Sequence, residues 1–497
     1  MRLDKVYGCY RFALGGSKTQ IMLIPLEEGC YGVDARLLCG DKTIAEASTA
    51  VNVGGSIVRY GFLSDFLPED DTDVESMAKY HIDHVQFYDW SYRHDMLVAK
   101  EEAYTDMMGK RNSLSVIRQK IKACHERGML AMAYGAVYAA SKSFWEDHRA
   151  WGLYSAKDKP MVFIGTFYYM DIDGPWREHL FRQYVNAVEA VGFDGIHMDT
   201  YGEPKCALTV DGAVRNLDQG LPALIRDADH AMKKAGHTPH LIFNNVGTWP
   251  VDSTCLQPQE AVYMELWPPM DRYRHLCAAV RRVHTENAPV ILAAYPAPFR
   301  TDTQERALYS ELILSFAIAL CGATQLFLGE KDAVVTQGYY ADYTKLTSRQ
   351  IEKIKSYQDF FVRYQELLLN RSYRDVSLTH CGGDNLEYSC DTPYSLEGEP
   401  DRLWLIFRED GSRKLIGLIN LRGNDDRWNT GKNKPDPIRD ITLCILTLKP
   451  VSNVWFASPD HGMGSPKSLP FEREDTCYGM KLMVKVPQLD CCGLIWL

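Results

Sequence analysis

Eight short apolar runs recur between residues 57 and 328, and each gap between them is long enough to hold a helix. The runs are Ile57–Leu63, Ile82–Tyr88, Met129–Tyr134, Phe193–Met198, His240–Asn244, Ala261–Met264, Val290–Ala294 and Thr324–Leu328. Strands that alternate with helices are typical of a parallel sheet with helical crossovers. Eight such units are the number that a (β/α)8 barrel requires. The sequence therefore predicts an α/β fold with a TIM barrel over residues 56–374.

Apolar residues spaced three or four apart indicate the crossover helices. Leu114, Ile117 and Ile121 share one helical face, and Gly128 follows as a typical helix stop. The same pattern precedes Gly192 and Gly236. Residues 308–321 are apolar nearly all round, which predicts a helix buried on every side.

The chain on either side of the barrel has a different pattern. Residues 1–55 contain short apolar runs broken at Gly15-Gly16, Glu28-Gly29 and Gly40-Asp41, which predicts a small Ig-like β module. Residues 375–497 lack a helical period, and apolar runs flank the turn signal Asp410-Gly411. We expect an antiparallel β-sandwich there, and a loop subdomain over one barrel end from residues 136–175.

Charge and cysteine content exclude several kinds of partner. The 497 residues have a formal net charge of −10, which disfavours nucleic acid. No apolar stretch reaches the roughly 20 residues that span a bilayer, so we expect no membrane contact. The first residues lack a signal-peptide pattern, which predicts a cytoplasmic protein as the sequence stands, or a secreted one if a leader has been removed. The 14 cysteines form no CxxC pair, so we expect free thiols rather than a disulfide framework, with no metal and no cofactor.

Polar and aromatic side chains follow most of the apolar runs. They include Asp65, Asp89, Trp90, Tyr134, Asp199, Asn244, Asn245, Glu265, Trp267, Tyr295 and Glu330. Active sites of TIM barrels lie at the carboxyl ends of the strands, so these side chains are expected to surround one barrel mouth. One such carboxylate alone more often caps a helix or pairs with arginine. A ring of carboxylates and aromatic residues favours cleavage of a glycosidic bond.

Two of these acids are the catalytic candidates. Asp199 is the predicted nucleophile and Glu265 the predicted general acid/base, which a retaining glycosidase places about 5–5.5 Å apart. We expect Asp199 to stay ionised, with His197 or a basic side chain as a donor. Met264 and Leu266 flank Glu265, and apolar neighbours raise the pKa of a carboxyl group.

The remaining candidates are assigned to substrate binding. Asp89 and Glu330 would hydrogen-bond sugar hydroxyls. Aromatic faces for the C–H side of a pyranose would come from Trp90, Tyr134, Trp249, Trp267 and Tyr295. The predicted binding residues also include Arg93, His94, His197 and Asn245.

Five stretches of the sequence resemble glycoside hydrolase family 66, the dextranases and cycloisomaltooligosaccharide glucanotransferases. They are RYGFLSDF at 59–66, HVQFYDWSYRHD at 84–95, YYMDIDGPW at 168–176, GFDGIHMDTYG at 192–202 and VYMELWP at 262–268. In this resemblance Asp199 occupies the nucleophile position and Glu265 the acid/base position. The resemblance implies an α-1,6-glucan substrate, a retaining double displacement and no metal requirement.

The sequence departs from the cyclising members of that family. These carry an inserted carbohydrate-binding domain late in the barrel, whereas the stretch from Tyr295 to Thr324 has room for one helix and its loops. We therefore expect hydrolysis of dextran or imported isomaltooligosaccharides. The alternatives are a transglycosylase acting on the same substrates and a glucan-binding barrel without catalysis.

Overall fold

The computed structural model describes residues 1–12, 26–55, 57–70, 74–283, 288–338 and 344–497. Its centre is a parallel sheet of eight strands, each paired with its neighbour in chain order. The strands are β1 (Tyr60–Leu63), β2 (His84–Phe87), β3 (Leu130–Ala136), β4 (Gly195–Asp199), β5 (His240–Val246), β6 (Ala261–Glu265), β7 (Val290–Ala293) and β8 (Ala323–Gln325). Just beyond β8, a parallel bridge joins Gly329 to Phe62 of β1 and brings the sheet back on itself. The predicted TIM barrel and its eight strands are confirmed.

Six long helices cover the outside of this barrel. They are α1 (Leu114–His125), α2 (Trp176–Val191), α3 (Leu217–Lys234), α4 (Tyr273–Arg282), α5 (Gln304–Cys321) and α6 (Ser348–Arg363). Shorter helices span Glu75–Ala78, Lys142–Asp147, Val251–Thr254, Pro298–Thr301 and Gln365–Leu368. Gly192 caps α2 with a φ of 101°, a left-handed conformation that glycine adopts without steric cost. Helix α5 is buried nearly all round, as its composition predicts.

Strand parity divides the core into two layers. Side chains such as Tyr60, Met132, Ile242, Tyr263 and Ile291 fill the barrel interior. Their neighbours along each strand point outward and pack beneath the helices. The barrel is therefore a filled core, and a large cavity opens at the carboxyl ends of its strands.

The predicted loop subdomain lies at the carboxyl ends of the strands. Its antiparallel strands are Ala139–Ala140, Tyr154–Ala156, Lys159–Pro160, Val162–Phe163 and Phe167–Tyr169, with Cys206–Leu208 and Val214–Asn216 added from the loop after β4. Antiparallel pairing also joins Ala103–Thr105 to Arg111–Ser113 and Ala333–Val334 to Thr344–Lys345. The hairpin of Val162–Phe163 and Phe167–Tyr169 forms one wall of the site described below.

At the amino-terminal end, Gly29–Cys39 and Lys42–Val53 pair as one antiparallel hairpin around the predicted turn at Gly40-Asp41. This hairpin packs on α6, where Thr49 donates a hydrogen bond to Asp359. Gly15-Gly16 lies outside the described residues. The Ig-like module and the three domain boundaries stay predictions.

The carboxyl-terminal region consists of two mainly antiparallel sheets that share one apolar core. One contains Arg374–Asp375, Tyr394–Ser395, Leu403–Glu409, Lys414–Asn420, Val454–Ala457, Lys467–Leu469 and Cys492–Trp496. The other contains Tyr388–Cys390, Ile438–Thr447, Phe471–Thr476 and Gly479–Leu489. The predicted hairpin around Asp410-Gly411 is present. Within the described ranges, no helix combines the length and the apolar character needed to cross a membrane.

Candidate active site

A cavity of about 430 Å³ opens at the carboxyl ends of the barrel strands. Strands β1 to β6, or the loops that follow them, contribute Phe62, Gln86, Asp89, Tyr134, His197, Asp199, Asn244, Glu265 and Trp267. Tyr295 and Leu326 complete the barrel side, and the subdomain hairpin closes the opposite wall. This volume is in the usual range for a small-molecule site. The cavity brings most of the predicted site residues together.

Asp199 is the last residue of β4 and points into this cavity. Its Oδ2 accepts a hydrogen bond from the Tyr134 hydroxyl at 2.6 Å, and its Oδ1 accepts one from Asn244 Nδ2 at 2.7 Å. Burial and then the nearby Glu265 raise the pKa of Asp199 to about 7, despite these donors. Burial and Glu265 therefore oppose the predicted ionised state of Asp199, and the two donors favour it.

Glu265 is the last residue of β6 and is 7% exposed. Its Oε1 accepts a hydrogen bond from the Tyr295 hydroxyl at 2.7 Å, while Oε2 lies 3.3 Å from Asn244 Nδ2. Burial raises the pKa of Glu265, as its apolar sequence neighbours predict, and Tyr295, Trp267 and Asn244 oppose the rise. Hydrogen bonds thus orient Glu265, while burial makes its ionisation less favourable.

Asn244 connects the two acids, because its Nδ2 lies within hydrogen-bonding distance of both. Asp199 Oδ1 and Glu265 Oε2 can be no further apart than the sum of the two distances, about 6.0 Å. The amide therefore fixes the spacing of the carboxyl groups across the cavity.

The predicted binding residue Asn245 lies on the other face of β5. Its Nδ2 donates to the carbonyls of Phe243 and Tyr263, and its Oδ1 accepts from Thr254. It is fully buried away from the cavity, because successive side chains of a strand point to opposite faces. The assignment of Asn245 is corrected to Asn244.

The floor of the cavity is aromatic and uncharged. His197 packs parallel to Tyr134 at 6.1 Å and edge-on to Tyr263 at 5.0 Å between ring centres. Its Nδ1 forms a hydrogen bond with the Tyr60 hydroxyl rather than with Asp199, and burial lowers its pKa to about 3. His197 therefore lines the site as a neutral ring, and the predicted donor role is wrong.

Two further predicted binding residues line the wall beyond β2. Asp89 has a φ of 50°, a left-handed conformation at the turn after the strand. Burial raises its pKa to about 7, with Lys110 opposing the rise and Asp106 and Asp199 adding to it. Burial also lowers the pKa of His94 to about 4, so this imidazole is neutral at physiological pH.

Three predicted substrate-binding side chains lie outside the cavity. Trp90 is fully buried, donates its Nε1 to the Tyr134 carbonyl and packs on a core phenylalanine. Arg93 stacks on Tyr92 and donates to backbone carbonyls outside the cavity. The ring of Trp249 is covered by an ammonium group instead of facing the cavity. None of these side chains lines the described cavity, so their assignment to substrate is corrected.

Glu330 is also outside the cavity. Its Oε2 accepts a hydrogen bond at 2.6 Å from Lys120 of α1, and both side chains are fully buried. Lys120 additionally contacts Asp70 and donates to the Asp65 carbonyl. Glu330 thus belongs to an ion-pair network at the seam between β8 and β1, in a single 3-10 helical turn beyond the end of β8.

Sequence reasoning missed other cavity residues. They include Gln86, Tyr138, Phe163, Ile164, Phe167, Tyr169, Tyr201 and Gln337. Gln86 points to the barrel interior, and the alternation of side chains along its strand predicts that position. The residues from the subdomain carry no local signal, since only the folding of that loop brings them over the strand ends.

Among the described residues, no cluster of three or more His, Cys, Asp or Glu side chains is arranged to hold a metal ion. The side chains that line the cavity offer carboxyl groups together with amide and phenol donors.

The sequence matches the model of Glycosyl hydrolase family 66 over residues 18–495. The chain belongs to this family. Among curated relatives, it is 21% identical to a cycloisomaltooligosaccharide glucanotransferase of Niallia circulans, over 88% of this chain and 61% of the relative. It is 22% identical to a dextranase of Streptococcus salivarius, over 77% of this chain and 54% of the relative. The family 66 chain thus spans less than two thirds of the length of these relatives.

A solved structure has a similar fold. The crystal structure of a Paenibacillus sp. cycloisomaltooligosaccharide glucanotransferase complexed with cycloisomaltoheptaose superposes with a TM-score of 0.84 at 19% identity. The superposition covers 94% of this chain and 89% of that chain. The barrel and its flanking sheets therefore share their fold with that structure.

Proposed function

We propose that this family 66 protein cleaves α-1,6-glucosidic linkages of dextran or isomaltooligosaccharides with net retention at the anomeric carbon. The observation that carries the proposal is the shared Asn244 donor, which limits the separation of the two carboxyl oxygens to about 6.0 Å. Retaining glycosidases place their carboxyl groups about 5–5.5 Å apart, whereas inverting enzymes need about 6.5–9.5 Å for a water molecule. The spacing supports a double displacement.

In the first step, Asp199 Oδ attacks the anomeric carbon and forms a glycosyl ester as the bond to the leaving oxygen breaks. Glu265 donates its proton to that oxygen. In the second step, the Glu265 carboxylate takes a proton from water, whose oxygen attacks the anomeric carbon and releases Asp199. Tyr134 and Asn244 orient the nucleophile, and Tyr295 orients the acid.

The shared pKa rise supports the required starting state. Two neighbouring buried carboxyl groups disfavour double ionisation, so near neutral pH the pair retains one proton. A double displacement uses the state in which Glu265 carries that proton and Asp199, with Tyr134 and Asn244 as donors, carries the charge.

A sugar substrate also fits the unpaired polar atoms in the cavity wall. Within the described structure, four buried atoms there lack a hydrogen-bond partner: His94 Nδ1, Thr200 Oγ1, Tyr201 Oη and Asn244 Oδ1. Such atoms cost free energy unless a ligand or water pairs with them. Interleaved with aromatic rings, they suit the alternating hydroxyl and C–H surfaces of glucose units. The relatives named dextranase and cycloisomaltooligosaccharide glucanotransferase support a glucan as the substrate class.

Hydrolysis is proposed ahead of transfer for one structural reason. The segment between β7 and β8 holds only the helix Pro298–Thr301 and α5, with no room for an inserted domain. Transglycosylation remains the second candidate, because two relatives are named glucanotransferases.

The test is incubation of the protein with dextran and isomaltooligosaccharides, with starch and cellulose as controls. Release of reducing isomaltooligosaccharides whose new ends are α-anomers by NMR supports the proposal. Asp199→Asn and Glu265→Gln should each lower kcat by about 10³-fold or more with the fold intact, while Asp65→Asn, outside the cavity, should not.

Other outcomes separate the alternatives. Longer oligosaccharides formed at high substrate concentration indicate transfer. Binding to dextran without any product over long incubation indicates a glucan-binding barrel. New β-anomeric ends would refute retention, and near wild-type rates in either acid variant would refute the catalytic assignment.

A further inference from the structure

Two cysteines on adjacent outer helices of the barrel lie in direct contact. Cys277 of α4 and Cys321, the last residue of α5, have their Sγ atoms 2.7 Å apart. A disulfide bond is about 2.05 Å long, so joining them requires a shortening of less than about 1 Å. From this geometry we propose that Cys277 and Cys321 form a site of covalent modification, an α4–α5 disulfide made by exchange with a small-molecule disulfide.

The exposure of the two thiols sets the order of reaction. Cys321 is partly exposed at the end of its helix, whereas Cys277 is 5% exposed. The Cys321 thiolate is therefore the group that a reagent in solution reaches first. Contact with Cys321 and then burial raise the pKa of Cys277, which keeps Cys277 protonated until its partner has reacted.

The exchange balances in two steps. Cys321 thiolate attacks one sulfur of the small disulfide, forms a mixed disulfide and releases one reagent thiolate. Cys277 then loses its proton and attacks the Cys321 sulfur, forming the protein disulfide and releasing the second reagent thiolate. Overall the two protein thiols are oxidised, and the reagent is reduced to two thiols.

Charged side chains of both signs lie near the pair. Arg281 of α4 pairs with Asp375 at 2.8 Å; the Asp375 carboxylate raises the pKa of Cys277, and the Arg281 guanidinium lowers it. Arg408 is buried and donates to the Leu320 carbonyl, next to Cys321 in sequence, at 3.2 Å. The contact between the two sulfur atoms, rather than an activating charge, therefore favours the exchange.

The position of the bond determines its effect. The residues are 44 apart in sequence, so the bond closes a long loop and restricts the unfolded chain. Helix α4 follows the strand that ends at Glu265, and α5 precedes β8, so the bond fixes the helix layer outside the cavity. We expect a gain in thermal stability that does not depend on the proposed reaction.

The test compares the folded protein after incubation with oxidised glutathione and after treatment with dithiothreitol. Oxidation should lower the intact mass by about 2 Da, the two hydrogens lost on disulfide formation. Peptide mapping should find a linked pair that contains Cys277 and Cys321. The oxidised protein should have a Tm a few degrees above the reduced protein.

Two variants make the result specific. Cys321→Ser should lose the linked peptide and the difference in Tm. Cys444→Ser, at a half-buried cysteine in the carboxyl-terminal sandwich, should keep both. Should the wild-type protein accumulate glutathione at Cys321, or remain fully reduced while folded, the proposal is overturned, and this result needs no folded variant.

Discussion

Asp199 and Glu265 are joined by a single amide, since Asn244 Nδ2 lies 2.7 Å from one carboxyl group and 3.3 Å from the other. These residues come from three consecutive strands, β4, β5 and β6. The parallel register places their ends side by side, so the spacing of the acids follows from the spacing of the strands. The rigid sheet, rather than a loop, therefore sets the geometry of the candidate site.

Replacing Asn244 should impair catalysis without unfolding the protein. Asn244→Ala removes the donor common to both acids, and we expect kcat to fall about 100-fold, the usual cost of one preorganised donor. Its Tm should remain close to that of the wild-type protein. Steady-state kinetics on the glucan substrate and a thermal melt measure both effects.

The adjacent residue gives the matched control. Asn245→Ala loses three buried hydrogen bonds outside the cavity, so the free energy of unfolding should fall by about 1–3 kcal/mol. Its kcat below the melting transition should stay within about twofold of wild type. If Asn245→Ala lost activity at full stability and Asn244→Ala did not, the assignment of their roles would be reversed.

The pH dependence of the first step should show that the carboxyl groups of Asp199 and Glu265 interact. An aryl glucoside with a good leaving group needs no proton from Glu265, so its rate follows the ionised fraction of Asp199. That fraction rises as the pH increases through the pKa of Asp199, about 7. The ascending limb of kcat/KM should therefore lie near pH 7 in the wild-type protein.

Glu265→Gln should move this limb to lower pH. The variant removes the negative charge that raises the pKa of Asp199, so the nucleophile ionises more easily. Rates with the aryl substrate, measured from pH 4 to 9, test the shift. An unchanged limb would mean that the two carboxyl groups do not interact.

Glu330 should prove a stabilising residue rather than a binding one. Glu330→Gln removes the charge that pairs with the fully buried Lys120, and loss of one partner of a buried pair costs about 3–5 kcal/mol. We expect a drop of about 3 kcal/mol in urea unfolding, since glutamine keeps one hydrogen bond. KM below the transition should be unchanged.

Glu126→Gln is the control for this prediction. Glu126 and Lys122 form an exposed pair at 3.9 Å on the same helix, and such pairs contribute less than about 1 kcal/mol. A higher KM in Glu330→Gln with wild-type stability would restore the sequence-based assignment of Glu330 to the sugar.

Replacing Ile164 should raise the stability of the protein and weaken substrate binding. It lines the cavity at the tip of the subdomain hairpin, is 56% exposed and has a φ of 46°, a conformation unfavourable for a β-branched residue. Ile164→Asn relieves this strain, so the free energy of unfolding should rise by about 1 kcal/mol. KM should rise severalfold at constant kcat, because apolar surface facing the sugar is lost.

Val210→Asn provides the comparison, since Val210 is an exposed apolar residue outside the cavity lining. Its KM should equal that of the wild-type protein. An unchanged KM in Ile164→Asn would show that the hairpin tip does not touch the substrate.

The sequence by itself determined the barrel and the two acids. Apolar runs and glycine stops are local patterns, and the periodicity of the backbone converts them directly into strands and helices. Asp199 and Glu265 were predictable because each ends a strand with the parity of the barrel interior. The same parity separates Asn244 from Asn245, once the interior residues of each strand are known.

Only the tertiary structure decided the partners of these residues. Glu330 pairs with Lys120 across 210 positions of sequence, and Asp199 is held by a phenol 65 positions away. The wall that contains Ile164 reaches the strand ends only when the subdomain folds over them. The pKa values follow from the same cause: burial and the approach of a second carboxyl group depend on packing between distant segments, which no local pattern records.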